Sequence, residues 1–251
     1  MNKLLKLLND NRGLGLFKAE TSGSEATLYL YDAIVTDAYW GGVSALDFVR
    51  ELHALQVDTI HLRINSPGGE VFAGQAMAQA VREHPANIIA HVDGYAASAA
   101  SWLALACDEV VISEGGYFMI HKAMTIAWGN ADEFRKQVDL LDKIDATLVA
   151  GYVKETGQEE QQIADWMAAE TWFNAEESVK YGFADAIAAP AAKNLKQWNL
   201  TAWGDKAPAL KTTEPAPPPA PAANPAAPTA APAANTEHLA RRLRLVEKQA
   251  A

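Results

Sequence analysis

The stretch ATLYLY (26–31) reads as a strand, and over 44–56 apolar residues fall at spacings of three and four. Leu46, Val49, Leu52 and Leu55 then share one face, the mark of an amphipathic helix. The unit repeats downstream. Strand 58–64 (DTIHLRI) leads through the turn NSPGG (65–69) to helix 71–83, and strand 87–92 (ANIIAHV) leads through DGYAAS (93–98) to helix 98–106. Strand 109–113, a turn at Gly115–Gly116 and an extended piece YFMIH (117–121) follow. Alternating units of this length predict an α/β chain with a parallel or mixed sheet covered by helices, arranged as a sandwich or spiral.

A long helix is predicted over 131–155. Asn130 is placed to cap it, Glu133 occupies the capping-box position, and Phe134, Val138, Leu141, Ile144, Leu148 and Tyr152 recur on one side. That stripe must cover something, either its own domain or another subunit. From about Ala207 to Asn235 the chain is dominated by Pro, Ala, Thr and Asn, a composition that buries too little apolar surface to offset chain entropy. The expected organisation is therefore an N-terminal segment (1–24), a folded domain (25–205), a disordered linker (206–235) and a short basic amphipathic helix or disordered tail (236–251).

Composition changes the picture mainly by exclusion. In 251 residues, 49% hydrophobic and 21% charged content is that of one globular core. The formal net charge of −10 opposes the phosphate backbone, so nucleic acid and anionic membranes are not expected partners. The single Cys107 lies in an apolar run and reads as a small buried hydrophobe, which fits a reducing, cytoplasmic setting. The opening MNKLLKLLNDNRG turns polar too early for a secretion signal, and no apolar run approaches the ~20 residues that span a bilayer. Neither a metal-ligand spacing nor a phosphate-cradling loop occurs, so no cofactor is expected.

The candidate chemistry gathers at the two turns. A serine hydroxyl needs a base to take its proton and donors for the oxyanion that forms. Ser98 stands where a strand hands over to a helix of small residues, with the N–H of Ala99 as a natural first donor. Gly68–Gly69, on the neighbouring turn, can bring a second backbone N–H close. Each feature also has a plainer reading, Ser98 as an N-cap and SPGG as an ordinary turn.

The blocks INSPGGEVFAG (64–74), GYAASAAS (94–101), FMIHKA (118–123) and ETWFNAEESVKYGFADAI (170–187) resemble, in order and spacing, the motifs of the ClpP family of serine peptidases. That resemblance, over roughly 25–190, implies the ClpP/crotonase-like spiral with a long projecting helix. It also implies Ser98 as nucleophile, His121 as base, Gly69 and Ala99 as oxyanion donors, and Gly68, Lys122 and Ala123 along the cleft where a polypeptide substrate pairs. The third triad position, usually Asp in the family, falls on Glu170, with Asp165 and Asp185 as alternatives. The family assembles into stacked heptameric rings, so a homo-oligomer is expected. The 29–52 region, Glu170 and the Pro/Ala-rich segment look more like the ClpP-like proteases encoded with phage capsid genes, which act in head maturation on scaffold or capsid precursors. Other readings are a housekeeping subunit fed by an AAA+ unfoldase, a Ser–Lys enzyme similar to signal peptide peptidase A with Lys122 as base, a crotonase-like acyl-CoA enzyme, or an assembly protein with a vestigial site.

Overall fold

The structure, a computed structural model, describes residues 3–11 and 13–188. The expected linker and the 236–251 segment lie outside the described residues. A short helix α1 (Lys3–Asp10) precedes the hairpin β1 (Leu16–Ser22) and β2 (Glu25–Tyr31). Two-residue strands β3 (Ile34–Val35) and β4 (Val43–Ser44) pair with each other and lead into α2 (Ala45–Ala54), capped by the Ser44 hydroxyl. Then come β5 (Thr59–Ser66), α3 (Val71–Glu83), β6 (Asn87–Ala97), α4 (Ala99–Ala104), β7 (Glu109–Ser113) and β8 (Tyr117–Ile120). The chain continues through α5 (Ala131–Thr156), α6 (Glu160–Ala169), β9 (Thr171–Asn174), α7 (Ala175–Lys180) and β10 (Ala186–Ala188).

The main sheet runs β1-β2-β5-β6-β7-β10, mixed because β1 is antiparallel to β2 while the next pairs are parallel. Alternation along β5 buries Ile60, Leu62 and Ile64 and leaves His61 and Arg63 on the opposite face. The buried side meets Phe48 and Leu52 of α2, Met77 and Val81 of α3 and Leu103 of α4 in one core. Burying such large aliphatic and aromatic side chains stabilises by about 1.5–3 kcal/mol each before entropy is counted. Cys107 is buried, as its apolar context predicts.

Two elements depart from the sequence reading. The sheet begins upstream of residue 25, because Leu16–Ser22 pairs along the whole length of β2. And β6 does not end at Val92 but runs to Ala97, changing partner on the way. It pairs with β7 as far as Val92↔Ile112 and then with β8 from Tyr95↔Tyr117 to Ala97↔Met119. The segment 93–97 is therefore strand rather than turn, and α4 is correspondingly shorter than the expected helix 98–106. The 131–155 helix appears as α5 with its capping box of Asn130 and Glu133 in place. No helix among the described residues is long and apolar enough to cross a membrane.

Candidate active site

Ser98 is the joint between β6 and α4, and its backbone lies at φ 54°, ψ −124°. A non-glycine residue with positive φ costs of order 1–3 kcal/mol and persists only where its surroundings hold it. Here the Ser98 N–H donates to the Met119 carbonyl at 2.8 Å, tying the strained residue to β8. The turn lifts the hydroxyl toward the end of β8, where His121 follows directly on Ile120. His121 Nε2 lies 2.7 Å from Ser98 Oγ. This is the reach a general base needs to accept the hydroxyl proton.

The glycine turn closes over the same point. Gly68 and Gly69 both have positive φ, at 80° and 153°. A Cβ at Gly68 would strike the Ala97 carbonyl, and one at Gly69 would strike the Ile34 carbonyl, so only glycine fits either place. Ile34 pairs with Gly69 in an isolated parallel bridge, made by the Ile34 N–H to the Gly68 carbonyl (2.8 Å) and the Glu70 N–H to the Ile34 carbonyl (2.9 Å). In that pattern the N–H and C=O of Gly69 point away from Ile34, toward the side on which a further strand could add. Ala99, the first residue of α4, has an N–H that no intrahelical bond satisfies.

Glu170 terminates α6 in a left-handed conformation (φ 52°) immediately before β9. The β8–β9 ladder is antiparallel and ends at Ile120↔Thr171, so His121 and Glu170 are the residues immediately beyond its last pair. The Lys122 N–H and the Glu170 N–H converge on one acceptor, the Met167 carbonyl, at 3.1 and 3.3 Å. The two alternative acids stand elsewhere. Asp165 is exposed on α6 and accepts from Gln161 at 2.9 Å, while Asp185 accepts from the Val110 N–H at 2.8 Å at the start of β7.

Of the cleft residues, Lys122 is exposed and its backbone N–H is held by Met167; Ala123 donates its N–H to Asp145 of α5 at 2.7 Å. Both backbone donors are thus committed within the chain. Asp145 carried no sequence signal, since nothing local ties an α5 carboxylate to residue 123. A cavity of about 390 Å³ opens beside Ser98 and His121, with Val71, Trp102, Met124, Ile126, Leu141 and Leu148 among its walls. Trp102 was missed as well, although its place one helical turn beyond Ser98 is a signal that could have found it.

A strained serine, an imidazole within hydrogen-bonding distance and glycine-opened backbone donors are the constellation used by serine hydrolases, carried here on a mixed α/β spiral. The sequence model of the Clp protease family matches residues 26–191, and the chain belongs to that family. The ATP-dependent Clp protease proteolytic subunit 2 of Treponema denticola is 32% identical over 55% of this chain and 68% of the relative. The subunit 2 of Pseudomonas aeruginosa is 30% identical over 59% of this chain and 77% of the relative. Among solved structures, the ClpP1 N165D mutant from Listeria monocytogenes superposes with a TM-score of 0.57 over 64% of this chain and 90% of its own, at 22% identity. That likeness shows the ClpP fold.

Proposed function

We propose that this chain is a serine endopeptidase that acylates at Ser98. The observation that carries the reading is the 2.7 Å approach of His121 Nε2 to the hydroxyl of a serine held at positive φ. In the proposed cycle Ser98 Oγ attacks the peptide carbonyl as His121 takes its proton, and the oxyanion accepts from the N–H groups of Gly69 and Ala99. His121 then protonates the leaving amine, and water resolves the acyl-enzyme by the reverse proton route. Glu170 and His121 are the residues immediately beyond the last pair of the β8–β9 ladder, which supports Glu170 as the group that would orient the imidazole. A peptide added as a strand beside Gly69 would be held mainly through its backbone, with Gly68, Lys122 and Ala123, whose N–H groups are spent within the chain, lining the cleft without donating to it.

Lys122 as base, the Ser–Lys reading, has less support because His121 already occupies the Ser98 hydroxyl. An acyl-CoA reading leaves the Ser98–His121 pair without a task. A homo-oligomer is supported by the first half of α5, where Phe134, Val138 and Leu140 are exposed, and by Trp128, 97% exposed just before it. Light scattering on the full chain measures this directly, and a monomer at working concentration would remove it.

For the substrate we favour scaffold or capsid precursors in phage head maturation, on the strength of Glu170 at the acid position and the Pro/Ala-rich stretch after the domain. The names of the relatives, proteolytic subunits of ATP-dependent Clp proteases, favour the second reading, a housekeeping subunit working with an AAA+ unfoldase. One set of samples tests the chemistry and both readings. Wild type should react with a fluorophosphonate probe and Ser98→Ala should not; equal labelling of the two rejects Ser98 as nucleophile. Intact mass of the same preparations, with a C-terminal segment lost only from wild type, would support self-processing. Turnover of a folded substrate only with ATP and a Clp-type unfoldase would support the housekeeping reading instead.

A further inference from the structure

The peptide unit between Ser98 and Ala99 carries two groups of the site at once. Its carbonyl belongs to Ser98 and its N–H to Ala99, and in a planar trans unit the two point in opposite directions. Whatever fixes the carbonyl therefore aims the N–H. The Ser98 carbonyl is fixed twice, by the Ser101 N–H at 2.9 Å and by the Ser101 hydroxyl at 2.6 Å.

The Ser101 hydroxyl has one proton, and it is spent on Ser98. Its 2.8 Å contact with the Tyr152 hydroxyl is therefore donated by the tyrosine. The result is a directed chain, Tyr152 O–H to Ser101 O–H to Ser98 C=O, reaching from α5 to the nucleophile's own peptide. Ser101 is wholly buried, and Tyr152 is buried with its ring edge-on to Trp102, centroids 5.6 Å apart. Burial raises the Tyr152 hydroxyl to about 12, so it keeps its proton through the range in which an imidazole base works. The positive φ of Ser98 makes such bracing necessary, because an unbraced peptide would relax toward a commoner conformation and swing the N–H away.

We propose that Ser101 and Tyr152 are positioning residues that aim the Ala99 N–H at the oxyanion. The proposal rests on the reading of the site as a serine peptidase. Ser101 thus has a task beyond filling space beside the nucleophile, and α5 holds part of the reaction geometry through one hydroxyl.

An aimed donor acts on the transition state and not on the bound substrate. Ser101→Ala is expected to lower kcat on the order of tenfold, less than the 10²–10³ lost when a donor is removed outright, because the Ser101 N–H remains. Tyr152→Phe, which deletes only the hydroxyl, should fall between wild type and Ser101→Ala. In both, KM should stay within about twofold, and the affinity of a peptide aldehyde should drop in step with kcat. The pH midpoint of kcat should stay at its wild-type value with a lower plateau, since the base is untouched.

The double variant decides the connection. If Tyr152 acts through Ser101, adding Tyr152→Phe to Ser101→Ala changes the rate little. Multiplicative losses, a rise in KM without a fall in kcat, or wild-type kinetics in Ser101→Ala each overturn the proposal. Rates are taken per folded molecule at a temperature below each variant's melting transition, and Ser101→Ala alone suffices if Tyr152→Phe does not fold. Failure of wild type to label with fluorophosphonate would instead overturn the peptidase reading, so the two failures are separable.

Discussion

Glu170 is the residue at which local sequence and fold contribute most differently. Its side chain type departs from the aspartate usual at that position, and nothing in the neighbouring residues says whether it reaches the base. The antiparallel step beyond Ile120↔Thr171 and the shared Met167 acceptor bring its backbone beside His121, while Asp165 and Asp185 are occupied elsewhere. If Glu170 orients the imidazole, Glu170→Gln, which keeps the shape and loses the charge, should lower kcat by at least about tenfold with KM little changed. Steady-state assays on a peptide ester check it. Wild-type turnover in Glu170→Gln would reassign the acid.

Among the elements, the turn joining β5 to α3 is built for close approach and leaves no room for variation. Gly69→Ala would put a methyl group into the Ile34 carbonyl at a φ of 153°. The loop must then shift, and the Gly69 N–H with it. We expect labelling at Ser98 to be lost and stability to fall by roughly 1–3 kcal/mol. Gly115→Ala serves as the control, because a Cβ there meets nothing within 4 Å. Probe labelling and thermal melts read both effects, and an active Gly69→Ala would remove Gly69 from the oxyanion role.

Elements that depend on local pattern were legible. Helix 71–83 matches α3 residue for residue, and the capping box of α5 is visible in Asn130 and Glu133 alone. What local pattern does not encode is the partner. The strand 87–92 was recognised, but its continuation to Ala97 depends on pairing with β8 rather than on any periodicity in DGYAA. The same holds for Leu16–Ser22, which becomes a strand because β2 supplies the ladder. Ser98 and His121 were assigned through motif order; their 2.7 Å contact required the handover of β6 from β7 to β8.

For the molecule as a whole, the face of the sheet opposite the helices carries a polar layer. His61 Nδ1 and His91 Nε2 meet at 2.9 Å diagonally between β5 and β6, where His61 pairs with Ile89 and His91 with Arg63, and His61 Nε2 lies 3.5 Å from a Glu25 carboxylate oxygen. Beside them Asp93 accepts from Arg63 Nε at 2.8 Å and from the Tyr31 hydroxyl at 2.5 Å. Burial, then the charge of Arg63, then His61, lower His91 from 6.5 to about 4. Between those two values the unfolded chain binds a proton at His91 that the folded chain does not. Stability contributed by neutral His91 is therefore complete above about pH 6.5 and is lost as the pH falls toward 4. The loss is on the order of 3 kcal/mol. In urea melts at pH 7 and pH 4, His91→Gln should lose less stability than wild type by about this amount. Parallel losses in the two proteins would mean that His91 does not drive the effect.

The β8–β9 ladder, which ends just short of His121 and Glu170, also closes a long excursion, for between Ile120 and Thr171 the chain runs out through a 26-residue helix and back through a 10-residue one. The entropy of closing a loop grows only with the logarithm of its length, about 0.6 kcal/mol per doubling. Outside the positions that reach back to the rest of the domain, such as Asp145 to the segment after β8 and Tyr152 to α4, the excursion is free to lengthen or shorten at little thermodynamic cost. Chemistry and reach are separable variables in this architecture: the same reacting groups can be kept while the arm that projects from them is retailored for a different neighbour.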